Sequence, residues 1–293
     1  MNTFQQLIEG PQPLLFDGGM GTLLQERGLS DGGCGELWNV ESVGDVRGIH
    51  EEYVEAGAQF VTTNTFGGSA PRLAMHGCSD RVAELNQAAA EIAREVAERK
   101  GAVVAGNLGP TGDLLEPMGT LTVEGAREIF EVQAAALLAG GADVIAIETM
   151  SDLSEVQAAI EAVRSISPQT PILATMSFDT NLHTMMGVSP EVAVKTLADE
   201  GVAAVGANCG RGPEEMEAIM TQMASARPDG LLLIAQSNAG LPKLVGDVFV
   251  YDAPPEQMAA HALRLREIGV DIIGACCGST PAHIRAIGAA LNG

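Results

Sequence analysis

The chain has 293 residues, 46% of them hydrophobic, with 35 glycines and only 3% aromatics, which suits one large aliphatic core. Its formal charge of −22 excludes nucleic acid and anionic membrane as partners, because both demand a basic surface. No run approaches the ~20 apolar residues of a membrane span, and Met1 to Gly10 lacks the basic start and apolar stretch of a signal peptide.

In chain order, eight short apolar runs alternate with longer helical patterns. The runs are Pro13–Asp17, Phe60–Asn64, Val103–Leu108, Val144–Glu148, Ile172–Phe178, Ala204–Cys209, Leu231–Asn238 and Asp271–Cys277. Between them, Arg81–Lys100, Val123–Gly140, Leu153–Ile166 and Pro254–Ile268 carry apolar residues at helical spacing. Continuous rather than alternating apolar strands imply burial on both faces, as in a parallel sheet. Units of ~30 to 40 residues, eight times over, predict an α/β fold of the (β/α)8 TIM-barrel type. No linker or low-complexity tract divides the chain, so residues 1–293 are expected to form a single domain. The rival open sheet would carry G-x-G-x-x-G after its first strand, and that motif is absent.

Polar residues gather at the C-terminal ends of the strands, where a barrel builds its site. Asp17 through Thr22 ends the first strand, Thr62 through Gly68 the second, Gly106 through Pro110 the third, and Ile147-Glu148-Thr149 the fourth. Strand six ends in Asn208-Cys209 and strand eight in Cys276-Cys277. Thr280 is expected as the N-cap of the last helix, with Pro281 in its first turn. Adjacent cysteines are poorly placed to form a disulfide with each other, and strand alternation leaves only one facing a core. Strands six and eight lie two apart around a barrel, so Cys209 can converge on the pair.

Three thiolates suit zinc, which is borderline-soft and tetrahedral, and three protein ligands leave a fourth position open. The alternative is buried or redox-active thiols. Three thiolates make zinc a poor activator of water but a good anchor for a substrate thiol. A bound thiolate is a sulfur nucleophile, so the implied chemistry is S-alkyl or S-methyl transfer. A lyase or aldolase would want a strand-end lysine or a phosphate loop, and neither is visible; a non-catalytic thiol-binding subunit stays open. The five cysteines without a secretory signal imply a reducing cytoplasm. Cys34 and Cys78 read as incidental thiols, and the five histidines, lacking ligand spacing, as surface or helix residues.

Asp17-Gly18-Gly19-Met20-Gly21-Thr22, Thr63-Asn64-Thr65-Phe66, Gly206-Ala207-Asn208-Cys209 and Gly274 through His283 together resemble the homocysteine S-methyltransferase family. The resemblance runs in the correct order over essentially the whole chain. It implies a (β/α)8 barrel, zinc on Cys209, Cys276 and Cys277, homocysteine as methyl acceptor and methionine as product. It further implies that Asp17 and Glu148 hold the homocysteine ammonium, that the amides of Gly19, Met20 and Gly21 face its carboxylate, and that Asn208 braces the site. Glu36 through Asn39, Thr65 through Gly68, Ser177 through Thr180 and Thr184 through Gly187 look most like the short bacterial betaine–homocysteine members. That implies betaine or another small methyl-onium donor, with Trp38, Phe66 and Phe178 as aromatic faces for the cation. Gly67 stands where the mammalian betaine enzymes carry a tyrosine. The family barrel also serves S-methylmethionine enzymes and the homocysteine module of cobalamin-dependent methionine synthase. The alternative is therefore the homocysteine-binding subunit of a split synthase, taking its methyl group from methylcobalamin on a corrinoid partner. With Gly293 just after the eighth helix, no folate or corrinoid module is expected in the chain itself.

Overall fold

The computed structural model describes residues 3–293 apart from Gln12, Asp31, Thr180, Pro242 and Asp247; Thr180 of the fifth-strand segment thus lies outside the described residues. Ten strands occur along it: β1 (Leu14–Leu15), β2 (Phe60–Thr62), β3 (Val103–Leu108), β4 (Val144–Met150), β5 (Ile172–Met176), β6 (Ala204–Cys209), β7 (Leu232–Ser237), β8 (Lys243–Val245), β9 (Val248–Val250) and β10 (Ile272–Ala275). Eight form one parallel sheet in the order β1-β10-β7-β6-β5-β4-β3-β2. The remaining edges meet where Gln59 N–H donates to Leu15 O at 2.8 Å and Thr62 N–H donates to Asp17 Oδ2 at 2.7 Å. This is the expected (β/α)8 barrel.

Helices such as Val82–Lys100, Val123–Ala139, Leu153–Ile166 and Pro255–Ile268 alternate with the strands, each within a residue of its sequence-predicted bounds. β3 and β6 match the sequence runs and β4 extends two residues further, to Met150; the other barrel strands come out shorter, because their polar ends leave the ladder to build loops. Four helices (Thr3–Ile8, Met20–Glu26, Val43–Glu55 and the last, Pro281–Asn292) frame β1 and β10. Thr280 caps the last helix, and His283 completes a capping box with it. The antiparallel hairpin β8–β9, inserted between β7 and the next helix, is not signalled by the barrel periodicity.

Two apolar layers follow from the pleat. Side chains on one face of the sheet pack under the helices. Those on the other (Leu14, Phe16, Phe60, Val103, Ala105, Val144, Ala146, Leu173, Ala204, Ile234 and Ile272) fill the barrel interior, with Phe4 packed among them. Phe16 and Phe60 stack there at 4.6 Å. Continuing the same parity further along the strands, by two residues or, past Gly206, by four, replaces apolar groups by Asn107, Glu148, Thr175, Asn208 and Gln236. The barrel is therefore a closed apolar plug below and a polar floor above. Close packing fixes two glycines: a Cβ on Gly206 would lie 1.6 Å from Ile234 O, and one on Gly274 would lie 2.7 Å from Phe16 Cβ. Among the described residues no helix is long and apolar enough to cross a membrane.

Candidate active site

Above the polar floor lies a cavity of about 720 Å³ at the C-terminal ends of the strands. Its lining includes Asp17, Gly19, Met20, Gly21, Phe66, Glu148, Cys209, Cys276 and Cys277. β6 and β10 both pair with β7, so their ends converge as the spacing predicts. The Cys209 and Cys276 sulfurs lie 2.8 Å apart, those of Cys276 and Cys277 3.9 Å apart, and all three fall within 4.8 Å of one another.

Cys209 reaches this cluster through an unusual backbone. It sits at φ 59°, and Thr149, at the end of β4, sits at φ 62°. Left-handed conformations are strained for non-glycine residues, most of all for a β-branched one. Asn208 holds both turns. Its Oδ1 accepts from Thr149 N–H and from Thr175 Oγ1, each at 2.8 Å, and its Nδ2 donates to Thr149 Oγ1 at 2.7 Å. Asn208 is buried beneath the cavity lining and does not itself line it. The β4–β5 register shifts between Ile147 and Met150, which releases Glu148 from the ladder.

The two carboxylates are buried and held differently. Asp17 accepts from Thr62 N–H and Thr62 Oγ1, both at 2.7 Å, while Glu148 accepts from Asn107 Nδ2. Burial pushes both up to about 7; the Thr62 bonds oppose this at Asp17, and at Glu148 the Asn107 bond opposes it while the Asp17 charge adds to it. Neither carboxylate faces a lysine or arginine in an ion pair among the described residues. The pair is thus short of one cation.

The thiols are similarly unbalanced. Hydrogen bonds from Cys209 and Cys276 hold Cys277 well below the usual thiol range, while bonds to Cys209 and Cys277, with burial, push Cys276 up. Three buried sulfurs this close repel one another as thiolates, and a cation is what would let all three ionise. Zinc–sulfur bonds of ~2.3 Å place tetrahedral ligands ~3.8 Å apart. The Cys276–Cys277 spacing already matches, and Cys209 would need to open by ~1 Å. The donor set therefore fits a soft divalent metal.

Three sequence expectations change here. Trp38 does not line the cavity; its half-buried ring packs against the core around the helix it begins. Phe178 is 1% exposed and belongs to the core, so of the three aromatic faces only Phe66 reaches the cavity. Gly19 lines the cavity, but its N–H donates to Ser279 Oγ at 3.0 Å, leaving Met20 and Gly21 at the start of the helix as the amides available to a carboxylate. Gly18 and Gly19 are small for a different reason: Cβ atoms there would meet Ser279 Oγ at 2.7 Å and Cys276 O at 2.8 Å. The glycine turn is packed against the cysteine turn. Among the histidines, His50, His261 and His283 lie on helices but are buried.

Sequence reasoning missed Tyr251. It follows the β8–β9 hairpin and lines the cavity near Cys277, whose thiol it helps to hold low. Gly278, at φ 78°, makes room for its ring, since a Cβ there would fall 2.3 Å from the ring carbons. No motif or periodicity marks a lone tyrosine after a hairpin.

The profile of the family described as homocysteine S-methyltransferase matches residues 14–291. The chain belongs to that family. The family and the barrel are those expected. Among curated relatives, the methionine synthase of Mycobacterium tuberculosis is 34% identical over 95% of this chain, and that of Mycobacterium leprae 33% over 95%. This chain spans about a quarter (24%) of the length of each. Among solved structures, the homocysteine methyltransferase MmuM from Escherichia coli superposes in its oxidized form with TM-score 0.82 at 25% identity, covering 99% of both chains. Its metallated form gives TM-score 0.81 at 26% identity, covering 98% of this chain and 99% of that one. The homocysteine methyltransferase family thus extends over a single barrel of this length.

Proposed function

We propose that residues 1–293 form one homocysteine-binding domain that transfers a methyl group to the homocysteine sulfur, yielding methionine, with zinc on Cys209, Cys276 and Cys277. The observation that carries this reading is the convergence of three sulfurs within 4.8 Å on the same cavity wall as two buried, unpaired carboxylates. Zinc, when bound, supplies the positive charge that lowers the pKa of a substrate thiol. The protein's own residues supply the rest. Asp17 and Glu148 take the α-ammonium as the missing cation, and the Met20 and Gly21 amides face the α-carboxylate. Asn208 keeps Cys209 turned toward the pair at Cys276 and Cys277.

For the donor, a small methyl-onium compound such as betaine is the first reading. The substrate sulfur attacks the methyl carbon, a new S–C bond forms as the onium C–N or C–S bond breaks, and a neutral amine or sulfide leaves. Opposite charges are discharged in this step, so a water-poor cavity lowers its barrier relative to water. Phe66 and Tyr251, rather than Trp38, offer aromatic faces for the cation. Five unpaired cysteines suit a reducing, cytoplasmic setting.

A second reading is favoured by the rim. Met75, Leu114, Met118, Met185, Leu244 and Val245, from the loops after β2, β3, β5 and β7, are each at least 51% exposed. An apolar rim of this kind suits a macromolecular donor, as in a split synthase whose methylcobalamin sits on a corrinoid protein. Methionine formation from homocysteine should be measured with betaine, dimethylsulfoniopropionate, S-methylmethionine and methylcobalamin in turn. Turnover with an onium donor supports the first reading, and turnover with methylcobalamin alone supports the second. Asp17→Asn should lower kcat/KM for homocysteine by ~100-fold, and equal kinetics with cysteine would count against the pose.

A further inference from the structure

The first-strand and second-strand loops carry charged groups that the homocysteine pose does not use. Arg72, on the short helix Ala70–Ala74, is the one lysine or arginine lining the cavity among the described residues. It is half-buried, and among the described residues its guanidinium forms no ion pair or hydrogen bond. That is unusual in this chain. Acidic residues outnumber basic ones 38 to 16, and every other arginine except the exposed Arg285 donates to a carboxylate or a carbonyl.

The guanidinium is also given a seat. Gly112, at φ 90°, lies under it: a Cβ there would stand 3.1 Å from Arg72 Cδ. Three residues earlier in the same loop, Gly109 seats Phe66, where a Cβ would stand 2.8 Å from the ring. Three residues of chain span at most ~11 Å, so ring and guanidinium share one side of the mouth. Glu36 completes the group. It lines the cavity, and its Oε1 accepts from Gly67 N–H, next to Phe66, at 2.6 Å. No cation pairs with Glu36 among the described residues. Its Oε2 accepts from Cys34 Sγ at 3.5 Å, so the carboxylate is held in place without a cation partner. An aromatic face and a positioned carboxylate thus adjoin each other, with an unpaired guanidinium beyond them.

We propose that Arg72 is a specificity-determining residue, its guanidinium holding the carboxylate of a donor whose onium group is set against Phe66 and Glu36. This rests on the onium reading above and deepens it by naming Arg72 as the residue that selects carboxylated donors. A guanidinium–carboxylate contact is charge-assisted and directional, worth ~1.5–3 kcal/mol, or a factor of about 10–100. The test compares carboxylated donors (betaine, dimethylsulfoniopropionate, S-methylmethionine) with trimethylsulfonium, an onium lacking a carboxylate. The quantity read is the ratio of kcat/KM for the carboxylated donor to that for trimethylsulfonium. In Arg72→Gln this ratio should fall ~10–100-fold, chiefly through the KM of the carboxylated donor, and Arg72→Lys should recover part of it. Zinc content and homocysteine binding, measured on both variants, report whether the barrel is intact. A ratio unchanged in Arg72→Gln, with turnover retained, overturns the role of Arg72 and leaves the onium reading standing. Failure of the wild type to turn over any of these donors overturns both.

Discussion

Asn208→Ala tests whether the cysteine cluster depends on the strained turns beside it. The side chain is 1% exposed and serves four groups: Thr149 N–H, Thr149 Oγ1, Thr175 Oγ1 and, at 3.7 Å, Cys209 Sγ. Hydroxyls can rotate toward other partners, but the Thr149 amide is fixed, and an orphaned buried donor costs roughly 1–3 kcal/mol. Thr149 and Cys209 at positive φ store a further ~1–3 kcal/mol each, which the asparagine bonds hold in place. The two lost bonds to the threonine hydroxyls add ~1 kcal/mol each, and relaxation of the strain offsets part of the total, so about 3 kcal/mol is the expected destabilisation. At ~2 °C per kcal/mol for a chain of this size, the melting temperature should drop by ~6 °C. Urea denaturation gives the free energy, and a zinc titration on the same samples should show weaker binding because Cys209 is no longer aimed. Asn208→Asp retains the two acceptor bonds and should recover part of the stability. A loss under 1 kcal/mol in the alanine variant, or equal losses in both variants, would refute the bracing argument.

Chelation should remove about one zinc per chain together with methyl transfer, and Cys277→Ser should lower zinc occupancy sharply while circular dichroism stays that of a folded barrel, because the cluster is at the mouth and not in the core. Full activity of metal-free protein would contradict this. The pH dependence of the ligand-free protein follows from Asp17 and Glu148, raised from ordinary values of 3.8 and 4.5 to about 7. Between pH 5 and 6.5 they are protonated when folded and ionised when unfolded, so their contribution is present at low pH and is lost as pH rises through about 7. Stability over that range should fall more steeply with rising pH than in Asp17→Asn/Glu148→Gln, by up to ~2.7 kcal/mol per pH unit; parallel slopes would show the carboxylates are not held neutral. Phe66→Ala should raise the donor KM, whereas Trp38→Ala should lower stability by ~1–3 kcal/mol and leave that KM nearly unchanged. The reverse pattern would return Trp38 to the donor site.

Apolar continuity along each strand was enough to specify a parallel barrel, because a strand buried on both faces leaves no polar alternation. The (β/α)8 order then placed Asp17, Glu148, Cys209, Cys276 and Cys277 at one face, since every strand of a parallel barrel ends on the same side. Adjacent cysteines at a strand end carried their chemistry in the sequence itself. What no local pattern encodes is which aromatic side chain turns inward. Trp38 and Phe178 sit near the site in sequence, yet helix packing takes one and the core the other. Tyr251 enters from a hairpin far from any motif because Gly278 leaves a space for its ring. The Gly19 amide was read as free, but Ser279, 260 residues away, takes its hydrogen bond. Strand periodicity is set by neighbours in the chain and could be read from it. Side-chain direction, hydrogen-bond partners and the unpaired state of Arg72 depend on groups that only the closed barrel brings within reach.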